Sequence, residues 1–133
     1  MRDCHAYDYA VLRLVPQVER GEFINVGVVL SCPDRKFLAT RTHLDPARLE
    51  AFAPLLDADV VRRHLASFEA VCRGGPEAGP IGALPQRQRF HWLVAPRSTV
   101  IQTSPAHTGW CRDPEETIDK LVRQYVLATP DPR

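Results

Sequence analysis

The chain has 133 residues, 44% of them apolar and 25% charged, with 17 Lys+Arg against 16 Asp+Glu for a net charge of +1. That balance matches one globular domain spanning 1–133, able to bury a core without metals or disulfides. It supplies no global field for nucleic acid or an anionic membrane, and no apolar run approaches the roughly 20 residues that span a bilayer. The N-terminus, MRDCHAYDYA, has no apolar stretch ahead of a cleavage site, so no secretory signal and a cytoplasmic location are expected. Lys36 and Lys120 are the two lysines and the remaining positive charge is arginine. That suits bidentate contacts to carboxylate or phosphate, and a GC-rich genome produces the same bias.

In chain order, Tyr7 to Val15 alternates with period two, one side apolar and the other interrupted by Arg13, as in a half-buried strand. Pro16 ends regular pairing, and Glu19-Arg20-Gly21-Glu22 supplies a turn. Phe23 to Leu30 is read as a second strand, with Ile24, Val26 and Val28 on one face and Phe23, Asn25, Gly27 and Val29 on the other. Gly27 leaves a gap there for a bulge, a neighbour or a ligand. A turn at Cys32-Pro33-Asp34-Arg35 precedes a third strand over Lys36 to Thr42.

Asp45-Pro46 signals a helix start, and Pro54 interrupts that helix. A second begins near Asp57, where Val60, Val61, His64, Leu65, Phe68, Val71 and Cys72 recur at helical spacing until Gly74-Gly75. Gly74 to Pro85 reads as a loop, either flap or connector. Arg89 to Ala95 and Ser98 to Thr103 read as another antiparallel pair, and Ser104 to Arg112 as irregular. Asp113-Pro114-Glu115-Glu116 then opens a closing helix with Ile118, Leu121, Val122 and Tyr125 on its buried stripe. The tail at 128–133 is expected to fray. The order predicts an α+β fold, a two-layer sandwich with a mainly antiparallel sheet of about five strands and about three helices.

Two polar groups stand out. The first is the hairpin tip, where Glu19, Arg20, Glu22 and Asn25 are close in sequence; a solvated turn with surface ion pairs is the plainer reading. Asn25, inside a strand where amides are depleted, either faces solvent or makes a specific hydrogen bond that holds the turn. The second is the 97–109 segment, where Arg97, Ser104 and His107 with neighbouring hydroxyls are candidates for an anion, although no glycine-rich phosphate loop is present. Ser104 and His107 lack a nucleophile elbow and an orienting third group, so no catalytic residue is assigned. Trp92, in an expected strand, is assigned to the core, and Trp110, in an expected loop, to an interface. Cys4, Cys32, Cys72 and Cys111 are widely spread and read as reduced thiols. His107 with Cys111, beside Cys4-His5, is the strongest metal pattern and falls short of a site; no metal and no cofactor is expected.

YDYAVLRLVPQVERGEFINVGVVL, APRSTVIQTSPAHTG and DPEETIDKL together resemble a bacterial family of small uncharacterised proteins, the domain-of-unknown-function family three-zero-three-seven. The resemblance implies a two-protein system, because members are often encoded beside a HipA-like kinase. A binding or regulatory module for a kinase-like partner follows, docking through the hairpin tip and the Pro96 to Asp113 surface. The alternatives are a small enzyme or anion-binding protein in which Glu22, Asn25, Arg97 and His107 converge, and a nucleic-acid-binding module whose Arg20, Arg35, Arg41, Arg87 and Arg89 share a face.

Overall fold

The structure is a computed structural model that describes residues 3–127. Five strands form one antiparallel sheet: β1 His5–Leu14, β2 Ile24–Cys32, β3 Phe37–Thr42, β4 Ile101–Thr103 and β5 His107–Cys111. The α+β class and the five-stranded antiparallel sheet agree with the sequence pattern. The order is β3-β2-β1-β4, and β5 also pairs with β1. β1 is long enough to hold two short partners on one side, β4 against Leu12–Leu14 and β5 against His5–Tyr9. The expected frayed tail lies outside the described residues.

Four α-helices are found among the described residues, α1 Pro46–Phe52, α2 Ala58–Arg73, α3 Gln86–Val94 and α4 Pro114–Tyr125. Asp45, Asp57 and Asp113 cap the first, second and fourth by accepting a backbone N–H two residues on, as short polar side chains do at helix starts. One face of the sheet, carrying Ala10, Leu12, Leu14, Val26 and Val29, packs on Val61, Leu65 and Phe68 of α2 and on Phe90 and Leu93 of α3. The opposite face, carrying Val28, Leu30, Cys32 and Cys111, packs on Ile118 and Leu121 of α4. Helices therefore cover both faces, α4 adding a further layer. Each buried Leu, Ile or Phe in these cores contributes roughly 1.5–3 kcal/mol of transfer free energy.

The simple alternation expected along β2 breaks at one place. Leu12 pairs with Gly27 but Arg13 pairs with Asn25, so Val26 is an extra residue in a β-bulge. Beyond it the side chains change face: Val26 joins the α2 core and Val28 the α4 core, although strict alternation places them together. The bulge also sets Asn25 beside Arg13 on the α4 side.

Two segments depart from expectation. Arg89 to Ala95 is not a strand but most of α3. Its aromatic and β-branched content imitates a strand, yet Pro85 at its start and burial of only Phe90 and Leu93 suit a short helix resting on the sheet. Ser104 to Arg112, expected to be irregular, contains β5. The Gly74 to Pro85 loop is largely a 3-10 segment, Pro76–Ala83, tied back by the Gly75 N–H to the Gly82 carbonyl at 3.1 Å. The Arg89 guanidinium donates to the Val71, Cys72 and Leu84 carbonyls at 2.7–3.0 Å. It is a pinned connector rather than a flap. No helix among the described residues is long and apolar enough to cross a membrane.

Candidate functional site

The hairpin tip follows the Leu14 end of β1. A 3-10 turn, Val18–Arg20, closes on Gly21 at φ 68°, a left-handed conformation that favours glycine. Arg20 Nε donates to Glu22 Oε1 at 2.6 Å with both side chains more than half exposed. That hydrogen bond and the arginine's charge hold the Glu22 carboxyl below its ordinary value. The two charges satisfy each other in solvent. Beside them a groove of about 440 Å³ is bordered by Pro16, Gln17, Phe52 and the 53–56 connection.

β5 lies at the other end of β1, paired with His5–Tyr9. The near end of β5, His107 opposite Tyr9, is five strand residues from Leu14, roughly 17 Å of extended chain. Arg97 belongs to neither tip nor β5: its guanidinium donates to the Trp92 carbonyl and, at 3.4 Å, to the Ala95 carbonyl. It lies 4.6 Å from the Trp92 ring centroid and 5.5 Å from that of Phe68. Burial lowers its pKa. Arg97 therefore finishes α3 by neutralising its last carbonyls. Trp92, expected inside a core strand, sits on that helix and is 41% exposed, while Trp110 on β5 is 70% exposed.

Of the sequence candidates, Asn25, Ser104 and His107 are brought together; Glu22 and Arg97 are not. The three line a pocket of about 150 Å³ on the α4 side of the sheet, with Tyr9, Val11, Arg13, Phe23 and Tyr125. Asn25 Nδ2 donates to the Tyr125 carbonyl at 3.0 Å, so its strand position is explained by a hydrogen bond to the end of α4 rather than to the turn. Ser104 is buried; its Oγ accepts the Val11 N–H at 2.9 Å and donates to the Pro105 carbonyl at 2.9 Å. The Tyr9 and Tyr125 hydroxyls meet at 3.1 Å. His107 pairs with Tyr9 across β1 and β5, ring centroids 5.5 Å apart. Burial and then the Tyr125 hydrogen bond push the Tyr9 phenol up to about 12.

Arg13 is the residue sequence reasoning passed over as a mere interruption of an apolar face. Its guanidinium lies over Phe23, 4.2 Å from the ring centroid. Its buried Nε has no hydrogen-bond partner, and no carboxylate among the described residues lies within ion-pair distance of it. A buried donor left without an acceptor costs about 1–3 kcal/mol. The charge itself, alone on the second face of a strand read as half-buried, was the available signal.

β5 is held in place by Asp8, which accepts from Thr108 Oγ1 at 2.6 Å and from Arg87 of α3. Burial opposes ionisation of Asp8, but these hydrogen bonds and the Arg87 charge outweigh it and leave the carboxyl below its ordinary value. Gly109 admits the Tyr7 side chain: a Cβ there meets its hydroxyl oxygen at 2.6 Å and its ring carbons at 2.7 and 2.9 Å.

The arrangement offers donors rather than a nucleophile with a base. The Ser104 hydroxyl is already committed, and no carboxylate lines the pocket. Among the described residues no three His, Cys, Asp or Glu side chains gather as a metal requires. The five arginines considered for nucleic acid each have an intramolecular acceptor: Glu22 for Arg20, the Arg112 carbonyl for Arg35, Glu115 for Arg41, Asp8 for Arg87, and three backbone carbonyls for Arg89.

Neither the curated proteins nor the solved structures contain a match to this chain. A family model described as protein of unknown function (DUF3037) matches residues 9–126, most of the chain and every pocket residue, and the chain belongs to that family.

Proposed function

We propose that this family member is a non-catalytic binding module that captures an extended segment of a protein partner on the open edge of β5. The observation that carries this reading is the edge itself. Among the described residues β5 pairs only with β1, its sequence HTGWC holds no charged residue and no proline, and Trp110 projects into solvent beside it. Exposed edges are usually blunted by charge, proline or a covering element, because unpaired N–H and C=O groups recruit other strands. The opposite edge strand, β3, follows that rule: Arg41 is engaged with Glu115 at 2.7 Å and Asp119 at 3.9 Å. An added strand on β5 gains main-chain hydrogen bonds, and an apolar partner side chain gains the Trp110 indole as anchor.

The family resemblance makes a HipA-like kinase the first partner to test, with this chain regulating or completing it. The experiment is coexpression with the HipA-like kinase of the same genome, followed by gel filtration of wild type and Trp110→Glu. Wild type is expected to co-elute with the kinase, and Trp110→Glu to elute alone with an unchanged melting temperature. Absence of co-elution for wild type rejects the kinase as partner, and undiminished co-elution of Trp110→Glu rejects the edge.

A further inference from the structure

The pocket between β1, β2 and the end of α4 faces away from Trp110, and its chemistry does not depend on the strand-capture reading. We propose that it is a carboxylate-binding site in which Arg13 is the primary ligand.

Three observations lead there. First, Arg13 brings a permanent charge into a pocket without any carboxylate, and its buried Nε–H has no acceptor. The planar guanidinium fork is built for two parallel hydrogen bonds to one carboxylate. Second, the surrounding groups have donors to spare. Asn25 uses one amide hydrogen on the Tyr125 carbonyl and retains the other. Tyr9 and Tyr125 share one hydroxyl hydrogen in their mutual bond, so the second remains for a ligand. Third, size and charge select the ligand. About 150 Å³ is below the roughly 300 Å³ at which pockets begin to enclose a whole small molecule, so the site takes a head group. One permanent cation matches a monoanion better than a dianionic phosphate. Phe23 and Tyr125, at 42% and 36% exposure, form an apolar rim for whatever carries the carboxylate. Phe23 also braces the guanidinium from one side.

The carboxylate comes either from a free small acid or from an acidic peptide side chain, and the same titration separates them. The Arg13 Nε–Hε resonance is followed by NMR in the wild-type chain during addition of propionate, of N-acetylglutamate amide, of inorganic phosphate and of sodium chloride, at matched ionic strength. Propionate is expected to shift the resonance saturably in the millimolar range, while chloride produces only a non-saturating drift. Tighter binding of the blocked glutamate than of propionate assigns the source to a peptide, and the reverse order to a free acid. Arg13→Lys keeps the charge and loses the fork; followed at the Asn25 side-chain amide resonances, which are recorded in wild type as well, it is expected to weaken propionate roughly tenfold or more. The proposal is overturned if propionate behaves like chloride, if phosphate saturates below propionate, or if Arg13→Lys binds propionate as wild type does.

Discussion

At the hairpin tip Arg20 and Glu22 meet at 2.6 Å in open solvent; on the α4 side of the sheet Arg13 sits half-buried over Phe23 with a buried Nε–H and no acceptor. Both regions hold an arginine and nearby polar groups, and they differ in whether the charge has been neutralised. A surface pair in high dielectric contributes little, because water serves each partner almost as well. An uncompensated donor in a sheltered pocket costs free energy that a ligand can recover. The density of polar residues in sequence is thus a poor guide to a site; what matters is which of them the fold leaves unsatisfied.

The sharpest way to test that contrast is to remove a hydrogen bond the pocket cannot replace. Ser104→Ala strips the acceptor from the buried Val11 N–H, and an expected loss of about 1–3 kcal/mol in denaturant unfolding follows from leaving that donor unpaired. A loss within error means that this wall of the pocket tolerates looseness like the tip. Next is Asp8, which fastens β5 and thereby places His107. Asp8→Asn is expected to cost on the order of 1 kcal/mol at neutral pH through weakened bonds to Thr108 and Arg87. Because its folded carboxyl lies below the ordinary 3.8, its contribution is present above that value and lost as pH falls through the lower folded value. The stability gap between wild type and Asp8→Asn should therefore close on acidification below about pH 4.

A smaller effect belongs to the alkaline side. Tyr9 is pushed from 10.0 to about 12, first by burial and then by the Tyr125 hydroxyl. An unfolded chain ionises this phenol near 10 and the folded chain does not, so stability is unaffected below about pH 10 and declines between about 10 and 12. Tyr125→Phe removes the second cause and leaves the first. Spectrophotometric titration of phenolate should show the slowest-ionising tyrosine moving downward in Tyr125→Phe without reaching the ordinary value. No movement indicates that the hydroxyl pair is not formed in solution.

Much of the frame was legible because it rests on local rules. Period-two alternation marked β1, the Asp45, Asp57 and Asp113 caps marked three helix starts, and the stripe ending at Gly74-Gly75 marked α2. α3 was misread because Phe90, Trp92 and Val94 raise strand propensity in a segment too short for its helical period to dominate. β5 was missed because its exposed residues, His107, Thr108 and Trp110, leave no alternation to detect. The pocket needed more than local rules. Arg13, Asn25, His107 and Tyr125 meet only through strand register, the Val26 bulge and the path of α4, with up to 112 positions between them. No pattern along the chain encodes that meeting.

The smallest expected effect is at the tip, and it is the one that tests the comparison from its other side. Arg20→Ala, Glu22→Ala and the double variant should all melt with wild type, because each charge loses only a partner that water replaces. They should also leave the Arg13 Nε–Hε resonance and kinase co-elution unchanged, since Arg20 and Glu22 line neither the pocket nor the β5 edge. A fall in melting temperature confined to the single variants, relieved in the double, would mean the pair is coupled more strongly than its exposure permits. A loss of co-elution without loss of stability would move the partner surface from β5 to the groove that Arg20 and Glu22 share with Phe52 and the 53–56 connection, leaving the assignment of Arg13 untouched.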